Sequence, residues 1–174
     1  MVKIKNAQRL DGMDQSGVRK LFTLAQNVTG IISLGIGQPN IPTPKGLIDI
    51  LLKLIKNGDN YYSPTQGTKK FLEAIAEQNK HEYNLEYNPT NEILATASGC
   101  EALYATLMSY INPGDEVLLP NPCFLTYYKQ VKLAGGNPIW LKPTEDLKIN
   151  TSNLQEYVNK KTKAIILNFP SNPT

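Results

Sequence analysis

Cysteine, histidine and tryptophan are scarce: 174 residues hold two cysteines, one histidine and one tryptophan. Cys100 and Cys123 lack the CxxC spacing of zinc and redox sites, and the single His81 leaves too few nitrogen ligands for the usual metal cages. No metal centre is expected, and so little cysteine fits a reducing, cytoplasmic setting. No stretch approaches the eighteen or so apolar residues that span a bilayer. The N-terminus, MVKIKNAQRLDGMDQ, lacks the apolar run of a secretion signal. Charge is equally unmarked: 18 Lys and Arg against 15 Asp and Glu leave +3, with no dense basic run of the kind that grips nucleic acid.

What is present is enough apolar material, 41% of residues, to build a globular core. TPKGLIDILLKLIKN (Thr43 to Asn57) offers a capping threonine, a proline at the first helical position, recurring Leu and Ile, and Gly58 just beyond. That pattern predicts a helix. A turn-rich loop, NYYSPTQG, precedes a second helix in which Phe71, Leu72 and Ile75 recur at helical spacing. The chain then alternates: strand EILATA, helix EALYATLMSYI, strand DEVLLP, helix FLTYYKQVKLA, strand NPIWL, helix TSNLQEYVN, strand KAIIL. Such alternation predicts an α/β fold with a mostly parallel, doubly wound sheet. Residues 1–45, with Gly35, Gly37, Pro39, Pro42 and Pro44 crowded together, read as an extended arm, and residues 46–174 as the sheet domain.

Five stretches could carry chemistry. In TASGCEALYATL a strand passes through Ser98, Gly99 and Cys100 straight into a helix. The unpaired N–H groups and the macrodipole of a helix start welcome a phosphate. Ser98 with Glu101 three residues on is also a capping box, which needs no ligand, and the pattern alone leaves both readings open. In SLGIGQPN, Gly35 and Gly37 imitate a dinucleotide fingerprint, but Asn40 occupies the third glycine position and Pro39 obstructs the required helix. A backbone-exposing turn remains. In PNPCFLTYY, Phe124, Tyr127, Tyr128 and Val131 form a helical stripe, mostly core, with Phe124 at the helix entrance where open α/β sheets place ligands. In NFPSNPT, Asn172 could present an amide to the same edge, or merely make a turn. Tyr61 and Tyr62, in the loop before the second helix, could offer a phenol to phosphate, or pack.

Taken in order, SLGIGQPN, YYSPTQG, SGCEAL, PNPCF and NFPSNPT resemble the fold-type I aminotransferases that depend on pyridoxal 5'-phosphate, across essentially the whole chain. The resemblance implies a three-layer large domain, here incomplete. It implies a phosphate cup at Ser98, Gly99 and Cys100, and a stacking ring at Phe124. Asn172 corresponds to the asparagine that bonds the cofactor's phenolic oxygen and lies near substrate, and Gly37 falls where the substrate carboxylate approaches. Tyr62 corresponds to the tyrosine that reaches the neighbouring subunit's phosphate, so a homodimer is implied. By the same likeness the Asn121–Pro122 and Asn172–Pro173 bonds are expected to be cis.

Further expectations follow. In the resembling family, the lysine that bonds the cofactor, an aspartate under the pyridine nitrogen and an arginine for the substrate carboxylate all follow the NPT motif. The sequence stops at that motif, at Thr174, so it reads as the N-terminal half of an enzyme that exchanges an amino group between an amino acid and a 2-oxo acid, itself inactive. The strand at Ile93 to Ala97 would lack its partner, and the piece alone should be unstable or aggregate. A lyase of the same fold, or a non-catalytic α/β module binding a phosphate ligand, are the alternatives.

Overall fold

The structure, a computed structural model, describes residues 4–13, 17, 23–25, 28–32, 37, 39–59 and 61–174. Gly35 of the glycine turn lies outside them. The chain divides into two compact units, residues 17–96, and residues 97–174 with 1–16.

In the first unit, helix α1 spans Lys45–Lys56. Pro44 is its cap, and no side chain caps it, so Thr43 does not play the role expected of it. The end is closed by Gly58 at φ +79°, with N–H bonds from Gly58 to the Ile55 carbonyl and from Asp59 to that of Leu54. This is a Schellman closure, and it requires the left-handed backbone that glycine tolerates. The apolar stripe of α1 stays exposed: Leu47, Leu51 and Ile55 are each more than half accessible.

Helix α2 spans Lys69–Tyr83 and buries Leu72. His81 is exposed in its last turn. Ahead of α2, Gln66 stitches two segments together. Its side-chain amide donates to the Ile93 carbonyl at 2.7 Å, and its own carbonyl accepts from the Ala95 N–H at 2.8 Å. Residues 92–97 were expected to form a strand, but they join no ladder. The sequence has strand composition there; a strand also needs a neighbouring backbone, and Gln66 supplies one bond rather than a row.

The second unit opens its main body with α3, Gly99–Tyr110, followed by β1 (Glu116–Pro120), α4 (Leu125–Leu133), β2 (Asn137–Leu141), a 3-10 helix (Thr151–Tyr157) and β3 (Thr162–Ile165). The segment TSNLQEYVN is thus 3-10 rather than α. Asn150 caps it, accepting from the Ser152 N–H at 3.1 Å. The strands form a parallel sheet in the order β2-β1-β3. The central strand is buried on both faces, with Val117, Leu118 and Leu119 at 0 to 2% exposure, which is why it reads as a continuous apolar run. Leu107 of α3, Ile111 just after that helix and Val131 of α4 close over Val117, Leu119 and Ile166 as one core. Tyr127 and Tyr128 lie partly buried against this cluster, and Tyr128 stacks on Trp140 at 5.7 Å.

A candidate cofactor site at the carboxyl edge of the sheet

Three parallel strands place their carboxyl ends on one edge, and in open α/β sheets ligands bind there. A cavity of about 540 Å³ opens at this edge. Pro120 and Cys123 after β1, Tyr127 of α4, Leu147 after β2, and Asn168 and Ser171 after β3 contribute to its wall. The peptide bonds Asn121–Pro122 and Asn172–Pro173 are cis, as expected, and Phe169–Pro170 is cis as well.

At the start of α3, Ser98 is the cap: its hydroxyl accepts from the Glu101 N–H at 3.3 Å, while the Glu101 carboxylate accepts from the Ala97 N–H. The capping geometry is therefore real. It still leaves the N–H groups of Gly99 and Cys100, the first two helical positions, without helical acceptors. A Cβ built on Gly99 would meet nothing within 4 Å, so packing does not demand glycine here.

Phe124 is the residue before α4, 38% exposed, with its ring edge-to-face against Tyr127 at 5.7 Å and 85°. Tyr127 carries that contact into the cavity wall. Asn172 sits between the wall residues Ser171 and Thr174. Gly99, Phe124 and Asn172 do not themselves line the cavity; Cys123 beside Phe124 and Ser171 beside Asn172 do, while Ser98, Gly99 and Cys100 stand outside its lining. Tyr62 and Gly37 belong to the other unit, where both are exposed, with Tyr62 fully so.

Burial pushes the Cys123 thiol above its ordinary value, and the Tyr127 phenol is also raised, first by burial and then by the Cys123 and Cys100 thiols beside it. Both groups therefore stay protonated and neutral at pH 7. On the loop after β2, Lys148 pairs with Asp146 at 2.5 Å. Its hydrogen bond is the main cause that holds the Asp146 carboxyl down, and the same pair raises Lys148. Among the described residues, no group of three or more His, Cys, Asp or Glu could hold a metal, and no helix is long and apolar enough to cross a membrane.

Two residues of this region escaped the sequence reading. Tyr127 belongs to an apolar stripe and looks like core, which in part it is. Gln130 is the buried polar residue of the same helix, and its Nε2 donates to the Cys100 carbonyl at 2.7 Å. A glutamine interrupting an apolar face was the available signal.

The second unit is an open parallel α/β sheet with a capped helix start at Ser98 and an aromatic ring, Phe124, at the entrance of α4. The family model for aminotransferase class I and II matches residues 29–174, and the chain belongs to that family. It is 38% identical to an aspartate aminotransferase of Pyrococcus abyssi, over 97% of this chain and 44% of the relative. It is 36% identical to the aromatic-amino-acid aminotransferase 2 of Thermococcus litoralis, again over 97% and 44%. Among solved structures, the aspartate aminotransferase of Rhizobium meliloti superposes with a TM-score of 0.92 at 25% identity, covering 99% of this chain and 44% of that one. The chain thus spans under half the length of the relatives it matches.

Proposed function

We propose that this chain supplies the phosphate-holding and ring-stacking side of a pyridoxal 5'-phosphate site, as the N-terminal part of an aminotransferase acting on an amino acid and a 2-oxo acid. When bound, that group supplies an electron sink for the amino-group exchange. The chain's own residues bind and orient. The Gly99 and Cys100 N–H groups, with the positive end of the α3 dipole behind them, suit a phosphate. Phe124 offers a flat apolar face to a ring, and Asn172 an amide donor to a phenolic oxygen. Gly37 is read as a contact for a substrate carboxylate. Tyr62, in the loop before α2, is read as a phosphate ligand for a second copy, in a homodimer. The arm is read as residues 1–45 and the cofactor-binding domain as beginning at 46. A cytoplasmic setting is read from the low cysteine content of the sequence.

The observation that carries this reading is the start of α3, capped by Ser98 and followed by a Gly99 that packing does not require, in a unit where Phe124 stands at the entrance of α4. The deciding experiment compares binding of pyridoxal phosphate and of pyridoxal to the 174-residue chain by equilibrium dialysis. Tighter binding of the phosphorylated compound, lost in Gly99→Val, supports the site. Equal binding of the two compounds removes it.

A further inference from the structure

Gln130 is buried, at 7% exposure, in the middle of α4. Its Nε2 reaches the Cys100 carbonyl of α3, yet its Oε1 is buried with no partner. The bond is not one the helix needs, because a carbonyl at that position already accepts from the N–H four residues on. A methionine of similar shape would pack here and leave no acceptor stranded, so the glutamine carries a desolvation cost that core packing alone does not ask for. Its place in the fold supplies a reason. The same helix carries Phe124 at its entrance, and the carbonyl it grips belongs to the turn formed by Ser98, Gly99 and Cys100. One side-chain bond therefore ties the ring-bearing helix to the turn with the unpaired N–H groups.

We propose that Gln130 is a positioning residue that sets the spacing between the first turn of α3 and the entrance of α4, so that one ligand can engage both at once. This rests on the cofactor reading above. A ligand that spans both elements depends on their separation, whereas a ligand held by one of them does not. Inorganic phosphate needs only the turn; pyridoxal needs only the ring.

The test uses the full 174-residue chain with Gln130→Met, which keeps the volume and loses the donor, and Gln130→Asn, which keeps the amide and cannot reach. Amide hydrogen exchange at residues 102–104, the first amides bonded to the carbonyls of this turn, is measured without ligand, and dissociation constants are measured for pyridoxal phosphate, inorganic phosphate and pyridoxal. Both variants should exchange faster at these amides. They should bind pyridoxal phosphate about tenfold more weakly while the two part-ligands shift by less than about twofold, as loss of one neutral hydrogen bond dictates. Should Gln130→Met fail to fold, Gln130→Asn decides. Unchanged exchange overturns the clamp. An equal loss for all three ligands shows general packing and overturns the positioning role. If the wild type fails to prefer pyridoxal phosphate over pyridoxal, the cofactor reading falls and the role falls with it, whereas wild-type preference with unaltered variants overturns this inference alone.

Discussion

A Cβ placed on Gly136 would lie 2.7 Å from Cγ2 of Ile111 and 3.2 Å from Cγ1 of Val131. The turn between α4 and β2 therefore brings bare backbone against the end of α3, where both neighbours are core residues that cannot yield. Gly136→Ala should cost about 1–3 kcal/mol through overpacking, read from urea unfolding. Gly46, in the first turn of α1 with nothing within 4 Å, is the contrast. Gly46→Ala should leave stability unchanged or raise it by up to about 1 kcal/mol through helix propensity. Equal effects at the two positions would contradict the packing described for this turn.

Phe124 tests the stacking surface separately from the fold. Its ring is partly exposed and contacts Tyr127 by an edge, so Phe124→Leu should shift the melting temperature little. Pyridoxal phosphate should bind several-fold more weakly, since an aromatic contact contributes about 0.5–1.5 kcal/mol beyond area. Phe124→Tyr should retain most of the affinity. A leucine variant that binds as well as the wild type would remove the ring from the site.

The raised thiol and phenol make an alkaline prediction. For a group whose folded value lies above its unfolded one, the stabilising contribution is complete below the unfolded value and is lost as pH rises through the folded value. The ordinary values here are 9.0 for Cys123 and 10.0 for Tyr127, both raised. Stability should therefore hold to about pH 9 and fall above it, as the unfolded chain releases protons that the folded chain retains. Cys123→Ala should flatten the first part of that fall, measured by melting temperature from pH 8 to 11. A wild-type profile level through this range would show that neither group is buried as described.

The exposed stripe of α1 predicts self-association. Leu47, Leu51, Leu54 and Ile55 lie on one side of the helix at 44 to 59% exposure, a continuous apolar surface of the kind that drives association. Light scattering of the purified chain should rise with concentration. Leu51→Lys with Ile55→Lys should suppress it without lowering helix content by circular dichroism. Scattering that stays the same in this double variant would shift the cause elsewhere, with the outer edge of β3 the next candidate.

Much of the fold was readable because its signals are local. The strand LLP and its flanks announce burial on both faces, and the residues around Ser98 announce a helix start whether or not a ligand sits there. The segment EILATA shows the limit. Its composition is that of a strand, but pairing is a property of two segments, and residues 92–97 join no ladder, their backbone tie to the loop before α2 being made through Gln66. The 3-10 helix at Thr151–Tyr157 was misread as α for a related reason: apolar spacing over so short a stretch does not separate three residues per turn from 3.6.

The sequence by itself determined the strand and helix alternation after residue 98, the helix start at Ser98, the helix end at Gly58 and the family, because those depend on neighbouring residues and on motifs that keep their order along the chain. Tertiary structure alone decided that Gln130 grips Cys100 across 30 residues, that Gly136 admits no side chain, and that Tyr127 links Phe124 to the cavity wall. Distance in space is not written in local periodicity; it is fixed only when the parallel strands stack their carboxyl ends together and bring remote loops to one edge.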